Sequence, residues 1–351
     1  MRPFARSLRM TAIMAAVALA VIVGRMLWVN GLFSSVTPGF SGTCKAAGAL
    51  PGVEDIEIAG DMAFISAAGA RGPDGRDGIY ALPLKGDGKL AKLAGTPSDF
   101  HPRGIGLYHA PGGGLYLFAV NRQAATGRFS IDSFEVTNAQ TAPALAAQGT
   151  IQGGLLINPQ DVAPSGPGTF YVANGTASRN ALVHRLQTYG VIPGGDILYF
   201  NGMSFRAVAD GLYGVRSLVF APGGAHLVVA SLLTRSLRSF SVEPFTGNLT
   251  EGDSLIVPAA PEKLSLDRFG EIWMAGHANL FQWRASAADP GRRASSQVFR
   301  VSLSGGAPQQ AEQVYGNAGA EMSGASVAAS TGDRLLIGSS LDGRLLDCAQ
   351  K

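Results

Sequence analysis

Four short polar segments carry most of the residue types in this sequence that could do chemistry. They are Gly52-Val53-Glu54-Asp55, His101-Pro102-Arg103-Gly104-Ile105, Asn158-Pro159-Gln160-Asp161 and Pro261-Glu262-Lys263. Neighbouring residues of a strand alternate in direction, so Glu54 and Asp55 are expected at different depths of any channel that the strands surround. Solvated turns also have this composition, but the recurrence of the segments in phase with a strand repeat favours a shared pocket. Carboxylates beside cations there provide acid–base groups, and clustered guanidinium groups bind carboxylates or phosphates.

The strands that would position these segments follow a repeat. Short apolar runs that end in small or polar residues recur at 62–66, 115–119, 169–173, 226–230, 271–275 and 334–338. A turn rich in Gly, Asp or Pro precedes each run. The spacing of roughly 45 to 65 residues is that of propeller blades with about four strands each. The sequence therefore predicts an all-β fold, one six-bladed β-propeller over residues 44–351. A two-sheet sandwich does not account for the length or for the number of repeats.

The composition agrees with a propeller and argues against nucleic-acid binding. Only 15% of the 351 residues are charged and 47 are glycines, which is typical of short strands joined by tight turns. The net charge is only +3 and the basic residues are scattered. Without a basic stripe interleaved with aromatic residues, no nucleic-acid partner is expected.

The N-terminus predicts export and membrane attachment. Residues 1–9 carry three arginines. Residues 10–24 then form an apolar run, and after Arg25 the chain is again largely apolar through residue 33. This pattern is typical of a secretory signal, and a full membrane span is reached if Arg25 extends its charge to the interface. The poor cleavage pattern favours an uncleaved signal anchor. Because the basic end stays in the cytoplasm, a linker at 34–43 and the propeller are expected on the periplasmic or extracellular side of the membrane.

The chain has two cysteines, Cys44 and Cys348, at opposite ends of the predicted propeller. Export permits a disulfide between them. Such a bridge, with the N-terminal segment completing the last blade, would keep the ring closed. Two unpaired buried cysteines are the alternative.

Further motifs extend the pattern along the whole predicted propeller. They are Gly52 to Ile58 with Ala63 to Ser66, Gly104-Ile105 with Val120-Asn121, Asp161-Val162 with Gly166-Pro167 and Phe170-Tyr171, Gln313 to Tyr315, Gly324 to Ala328, and Leu335 to Gly338. By their order and spacing, residues 44–348 resemble the paraoxonase (arylesterase) family, within the wider gluconolactonase- and strictosidine-synthase-like propellers. The resemblance implies an end-to-end disulfide, a retained N-terminal segment, two calcium ions in the channel, and hydrolysis of lactones or aryl esters with histidine as base.

The resemblance places the ligands of the structural ion at Asp55, Asp161 and the backbone carbonyl of Ile105. Calcium prefers carboxylate and carbonyl oxygens of this kind. One structural calcium ion is therefore expected.

The positions that correspond to the catalytic ion have changed. Glu54, Gln160 and Glu262 keep oxygen donors there. Arg216 and Lys263 stand at two asparagine positions, and these cations have no lone pair for a metal. The catalytic ion is therefore expected to be replaced by the two cations, which pair with Glu54 and Glu262.

The histidine pair of the family has changed as well. Arg103 and Arg122 stand at its two positions, and arginine stays protonated and cannot act as a general base. His101, on the same face of an extended segment as Arg103, and His277, after the fifth repeated strand, are the candidates to replace it.

Three functions follow from these residues. The first is the calcium-dependent hydrolysis that the resemblance implies. The second is a non-catalytic module whose cations, Arg103, Arg122, Arg216 and Lys263, bind an anionic small molecule. The third is a metal-independent enzyme, as in strictosidine synthase, with Glu54 or Glu262 as the acid–base group.

Overall fold

A computed structural model gives the fold of residues 2–70, 72, 74–86 and 88–350, and of residues 2–8 it describes the backbone alone. The side chains of the predicted basic segment at positions 2 and 6 therefore lie outside the described residues. The described part is a ring of six antiparallel sheets around a channel, preceded by a long helix. This confirms the predicted six-bladed propeller.

The chain enters the ring through α1 (Arg2–Val29) and two strands, β1 (Gly39–Phe40) and β2 (Thr43–Ala49). Each of the next four sheets is one continuous stretch of chain with its innermost strand first. Blade 1 contains β3 (Val53–Ala59), β4 (Met62–Ala67), β5 (Gly78–Pro83) and β6 (Ala91–Lys92). Blade 2 contains β7 (Pro102–His109), β8 (Leu115–Arg122), β9 (Phe129–Thr137) and β10 (Ala144–Ile151). Blade 3 contains β11 (Pro159–Gly166), β12 (Thr169–Asn174), β13 (Gly195–Phe200) and β14 (Phe205–Leu212). Blade 4 contains β15 (Val215–Phe220), β16 (His226–Ser231), β17 (Ser236–Val242) and β18 (Leu249–Ile256).

The last two blades combine both ends of the chain. Blade 5 contains β19 (Ala260–Leu266), β20 (Ile272–His277), β21 (Ser296–Ser304) and β22 (Ala307–Asn317), with β1 added at its outer edge. Blade 6 contains β23 (Val327–Ser330), β24 (Arg334–Gly338) and β25 (Arg344–Ala349), and β2 is its outermost strand. A disulfide joins Cys44 of β2 to Cys348 of β25, 304 residues later. The predicted closure of the ring is confirmed. Part of the predicted linker, at 39–40, is itself strand β1.

The six repeated apolar runs form the second strand of every blade. In β4 and β20 all residues are buried, and β8, β12, β16 and β24 are buried along most of their length. A strand that lies between two neighbouring blades is covered on both faces, and this explains a continuous apolar run in place of an alternating one. Between blades 2 and 3, for example, the ring of Phe118 packs on that of Phe170 with centroids 5.6 Å apart.

Two helices connect second and third strands on one side of the ring. In blade 3, α2 (Ala181–Thr188) begins after Asn180, and in blade 5, α3 (Leu280–Ala288) begins after Asn279. Each asparagine side chain accepts two backbone N–H groups of the first turn, as N-caps do.

The end of α1 is attached to these helices. The side chain of Asn30 accepts a hydrogen bond from Arg284 at 2.6 Å and donates one to the carbonyl of Tyr189 at 3.3 Å. The backbone carbonyl of Asn30 accepts the N–H of Leu280 at 2.9 Å. Between Arg9 and Val29, α1 is long and apolar enough to cross a membrane and is hardly buried against the propeller. An apolar N-terminal helix and a disulfide are compatible with a membrane-anchored extracytoplasmic protein.

Candidate functional site

The predicted site residues lie at β-bulges of the innermost strands. In five blades the innermost strand slips in register against the second strand close to its start. The residues left out of the pairing are Glu54, Arg103 and Gly104, Gln160, Arg216, and Glu262 and Lys263. A bulge leaves its extra residue unpaired and redirects the side chain, and bulges are frequent beside active sites. The slips therefore turn the polar segments of the sequence toward the channel.

All of these bulged residues except Gly104 line one cavity of about 400 Å³. Its wall also includes His101 before β7, Arg122 at the end of β8, and Trp283 of α3. The guanidinium carbon of Arg216 lies 5.7 Å from the centroid of the Trp283 ring. The structure thus brings together nearly all the side chains that the sequence singled out, and adds an aromatic wall that the sequence did not predict.

Lys263 occupies the position that the resemblance assigns to the structural calcium ion. Its ammonium nitrogen lies 3.3 Å from Oδ1 of Asp161 and 3.6 Å from Oδ2 of Asp55, and it donates to the carbonyl of Gln160 at 2.6 Å. The sequence predicted that Lys263 pairs with Glu54 or Glu262. The structure places its charge deeper, between the two aspartates.

Backbone and hydroxyl donors take up the other oxygens of the two aspartates. Asp55 accepts the N–H groups of Ile56 at 2.9 Å and Ile105 at 3.0 Å. Asp161 accepts the hydroxyl of Ser217 and the N–H groups of Val162, at 3.0 Å, and Leu218, at 3.2 Å. Ile105 therefore meets Asp55 through its N–H group. Burial raises the pKa of Asp55, and the charge of Lys263 opposes this shift.

This arrangement does not fit a calcium ion. Calcium takes six to eight oxygen ligands, and here a cationic ammonium group and several N–H and O–H donors already surround the two carboxylates. Over residues 2–70, 72, 74–86 and 88–350, no cluster of three or more His, Cys, Asp and Glu side chains has a geometry that suits a metal. Asp55 and Asp161 converge as predicted, but they converge on a lysine.

Arg216 and Glu262 form a buried two-point ion pair at positions that the resemblance assigns to the catalytic ion. The guanidinium group donates to the two carboxylate oxygens at 2.7 and 2.6 Å and to the side-chain oxygen of Gln160 at 2.7 Å. His277 lies behind Glu262, with its Nε2 at 3.3 Å, and is fully buried. Burial by itself would raise the pKa of Glu262, but Arg216 and His277 outweigh it and lower the pKa to about 2. Glu262 and His277 thus support the wall of the cavity, and Glu262 stays ionised.

His101 is held by a carboxylate at the edge of the cavity. Its Nδ1 lies 2.7 Å from Oδ2 of Asp77, and Asp77 also accepts the N–H groups of Gly69 at 2.8 Å and Asp74 at 2.9 Å. The backbone of His101 bonds to the side chain of Asn121 and to the N–H of Arg122. Sequence reasoning missed Asp77, which lies in a Gly- and Asp-rich turn 24 residues before the histidine.

Arg103 and Arg122 bring positive charge that no acidic side chain of the described residues neutralises at contact distance. Arg103 donates to the side chain of Asn158 and the carbonyl of Pro159, each at 3.1 Å. In the described part of the chain, no carboxylate oxygen lies within 4.0 Å of either guanidinium group. Burial lowers the pKa of Arg103 to about 10, so it remains charged at neutral pH. Burial also raises the pKa of Glu54, which lines the same cavity, although Arg103 and Lys263 oppose the shift.

A family model described as arylesterase matches residues 88–349. The chain belongs to the arylesterase family. Human serum paraoxonase/arylesterase 2 is 27% identical over 304 residues, which cover 82% of this chain and 83% of the relative. Human serum paraoxonase/arylesterase 1 is 25% identical over 306 residues with the same coverage. The resemblance found in the sequence is confirmed.

Solved structures of other proteins share the fold of this chain. A luciferin-regenerating enzyme matches with a TM-score of 0.55 and 11% identity, covering 88% of this chain and 95% of that one. A gluconolactonase from Xanthomonas campestris matches with a TM-score of 0.54 and 14% identity, covering 91% and 96% of the two chains. At such identities the likeness shows the propeller architecture alone.

Proposed function

We propose that this chain hydrolyses a lactone or an ester in its central cavity without calcium, with His101 as the general base. The observation that carries the proposal is the 2.7 Å contact of Asp77 with His101, which lies on the cavity wall together with Arg103 and Arg122. Membership of the arylesterase family supports the reaction class. The ammonium group between the two aspartates supports a route that needs no metal ion.

His101, Asp77 and the two arginines have different roles in the proposed reaction. The Nδ1–H group of His101 donates a hydrogen bond to Asp77, so Nε2 is free to take a proton from water while the water oxygen bonds to the substrate carbonyl carbon. The carbonyl oxygen then carries the negative charge, which the guanidinium donors of Arg103 and Arg122 stabilise. When the carbon–oxygen bond breaks, the proton on His101 passes to the leaving oxygen. Glu54, whose pKa burial raises, is a second group on this wall that can hold a proton.

The test is turnover by the purified full chain in detergent, on a panel of lactones and aryl esters, with and without a calcium chelator. We expect hydrolysis that the chelator does not change, because the charges of the site belong to side chains. A calcium-dependent arylesterase in the same buffers is the control that shows that the chelator works. Activity that disappears with the chelator and returns with calcium would contradict the proposal.

A second function is favoured by the guanidinium groups of Arg103 and Arg122, which no carboxylate of the described residues contacts. Arg103 and Arg122 suit a carboxylate or phosphate group through forked hydrogen bonds, whether or not turnover follows. On this hypothesis the chain is a binding module for an anionic small molecule. Binding of such a molecule without hydrolysis of any substrate in the panel would favour the module over the enzyme.

Replacing Arg122 by glutamine tests anion recognition. We expect the variant to bind phenylacetate or phenyl phosphate about 10- to 100-fold more weakly, because a hydrogen bond to a charged group contributes about 1.5–3 kcal/mol. Isothermal titration calorimetry at two salt concentrations measures the change. Arg128→Gln is the matched control, since Arg128 is exposed and lies outside the cavity wall. Equal affinities for the Arg122 variant and the unmodified chain would rule out this role.

A further inference from the structure

We propose that Lys263 is a built-in substitute for a metal ion, so that the ring is stabilised without calcium and Asp55 and Asp161 form a latent calcium site. The inference concerns the stability of the fold and does not depend on the proposed hydrolysis. It rests on the position of one ammonium group, on the burial of its partners and on the space around them.

The ammonium group links three alternate blades across the channel. Lys263 belongs to β19 of blade 5, Asp55 to β3 of blade 1, and Gln160 and Asp161 to β11 of blade 3. Its nitrogen lies within 3.6 Å of a carboxylate of blade 1, and within 3.3 Å of a carboxylate and 2.6 Å of a carbonyl of blade 3. A cation in this position connects strands that share no backbone hydrogen bonds, as a bound ion would.

Burial makes the cation necessary. The side chains of Lys263, Asp55 and Asp161 are 6%, 2% and 3% exposed. Two carboxylates brought so close in a poorly solvated site repel each other unless a positive charge lies between them. Removing one partner of a buried ion pair is strongly destabilising because the remaining charges stay uncompensated.

The space around the ammonium group is filled. A side-chain carbon on Gly104 would lie 2.2 Å from Oδ1 of Asp161 and 2.4 Å from the nitrogen of Lys263. Glycine at this bulge therefore lets the backbone of blade 2 close over the pair. A calcium ion could reach the two aspartates only if Lys263 moved out.

The first experiment uses the unmodified full chain in detergent. We expect no stoichiometric calcium by elemental analysis, and a melting temperature that changes neither with a chelator nor with millimolar calcium. One or two bound ions, or a melting temperature that falls on chelation, would overturn the proposal.

The second experiment exposes the latent site by Lys263→Asn, which replaces the cation with an oxygen donor. Without calcium we expect the melting temperature to fall by about 5–10 °C, as for a broken buried ion pair. Added calcium is expected to restore most of this loss, and Asp161→Asn in the same chain is expected to abolish the rescue. A Lys263→Asn chain with unchanged stability and no response to calcium would contradict the inference.

Lys45→Asn is the matched control. Lys45 also lies 3.6 Å from an aspartate, Asp347, but it is 79% exposed. Exposed pairs contribute little, so this variant is expected to keep its melting temperature and to ignore calcium. If Lys263→Asn does not fold even with calcium, the measurements on the unmodified chain still decide whether the ring depends on the ion.

Discussion

Replacing His101 by glutamine is expected to lower kcat by about 10²- to 10⁴-fold, the usual contribution of a positioned general base. The reason is that, among the histidines that the structure describes, only His101 combines a place on the cavity wall with a carboxylate partner, at its Nδ1. Glutamine keeps the size and polarity of the side chain but cannot accept the proton from water. Because the side chain acts in the transition state, KM is expected to stay within a few-fold.

Asp77 is a positioning residue in this scheme, and Asp77→Asn tests its role. An amide can donate to Nδ1 and stabilise the tautomer whose Nε2 carries the proton, which is the wrong state for a base. We expect kcat to fall by at least about 100-fold and the pH profile of kcat to move, with KM little changed. A purely structural role in the turn of Gly69 and Asp74 would lower the melting temperature without moving the pH profile.

His109→Gln is the control for both variants. His109 is exposed at the far end of β7, outside the wall of the cavity, and its replacement is expected to leave turnover unchanged. If His101→Gln keeps the kcat of the unmodified chain, His101 is not the base. Glu54 would then be the titratable group of the cavity to replace next.

The sequence predicted the fold well because the information was local and repeated. Each second strand lies between two blades, so its apolar run is continuous and recurs with every blade. The polar segments were recognisable for a related reason, since the bulges that expose them fall at the same place in each innermost strand. A pattern that repeats along the chain predicts the strands and bulges even when the contacts between side chains are unknown.

The pairing of the charges could not be predicted in the same way. Lys263 follows Glu262 directly and was predicted to neutralise a glutamate, but its long side chain reaches Asp55 and Asp161. Asp77 lies in a turn of blade 1, and its partner His101 precedes the first strand of blade 2. Such contacts depend on side-chain reach and on the packing of neighbouring blades, and neither of these leaves a periodic signal in the sequence.

The second large effect is expected on stability, from the double replacement Cys44→Ser with Cys348→Ser. The bridge closes a loop of 304 residues. In the chain-entropy description, removing a cross-link over so long a loop lowers the free energy of unfolding by about 6 kcal/mol. The replacement weakens the attachment of β2 to blade 6, because β2 is held there by the disulfide and by its hydrogen bonds with β25.

Denaturant unfolding of the full chain in detergent, with and without reductant, measures this contribution. Reduction of the unmodified chain is expected to reproduce the loss seen in the serine variant, and the serine variant is expected to be insensitive to reductant. A loss below about 1 kcal/mol would mean that the unfolded chain gains little freedom when the bridge is absent. The pairing of β1 with β22 and the contacts of Asn30 with α3 would then hold the N-terminal segment against the ring without the covalent bond. Because these contacts attach α1 to the propeller, the ring would in that case be closed by the N-terminal segment without the disulfide.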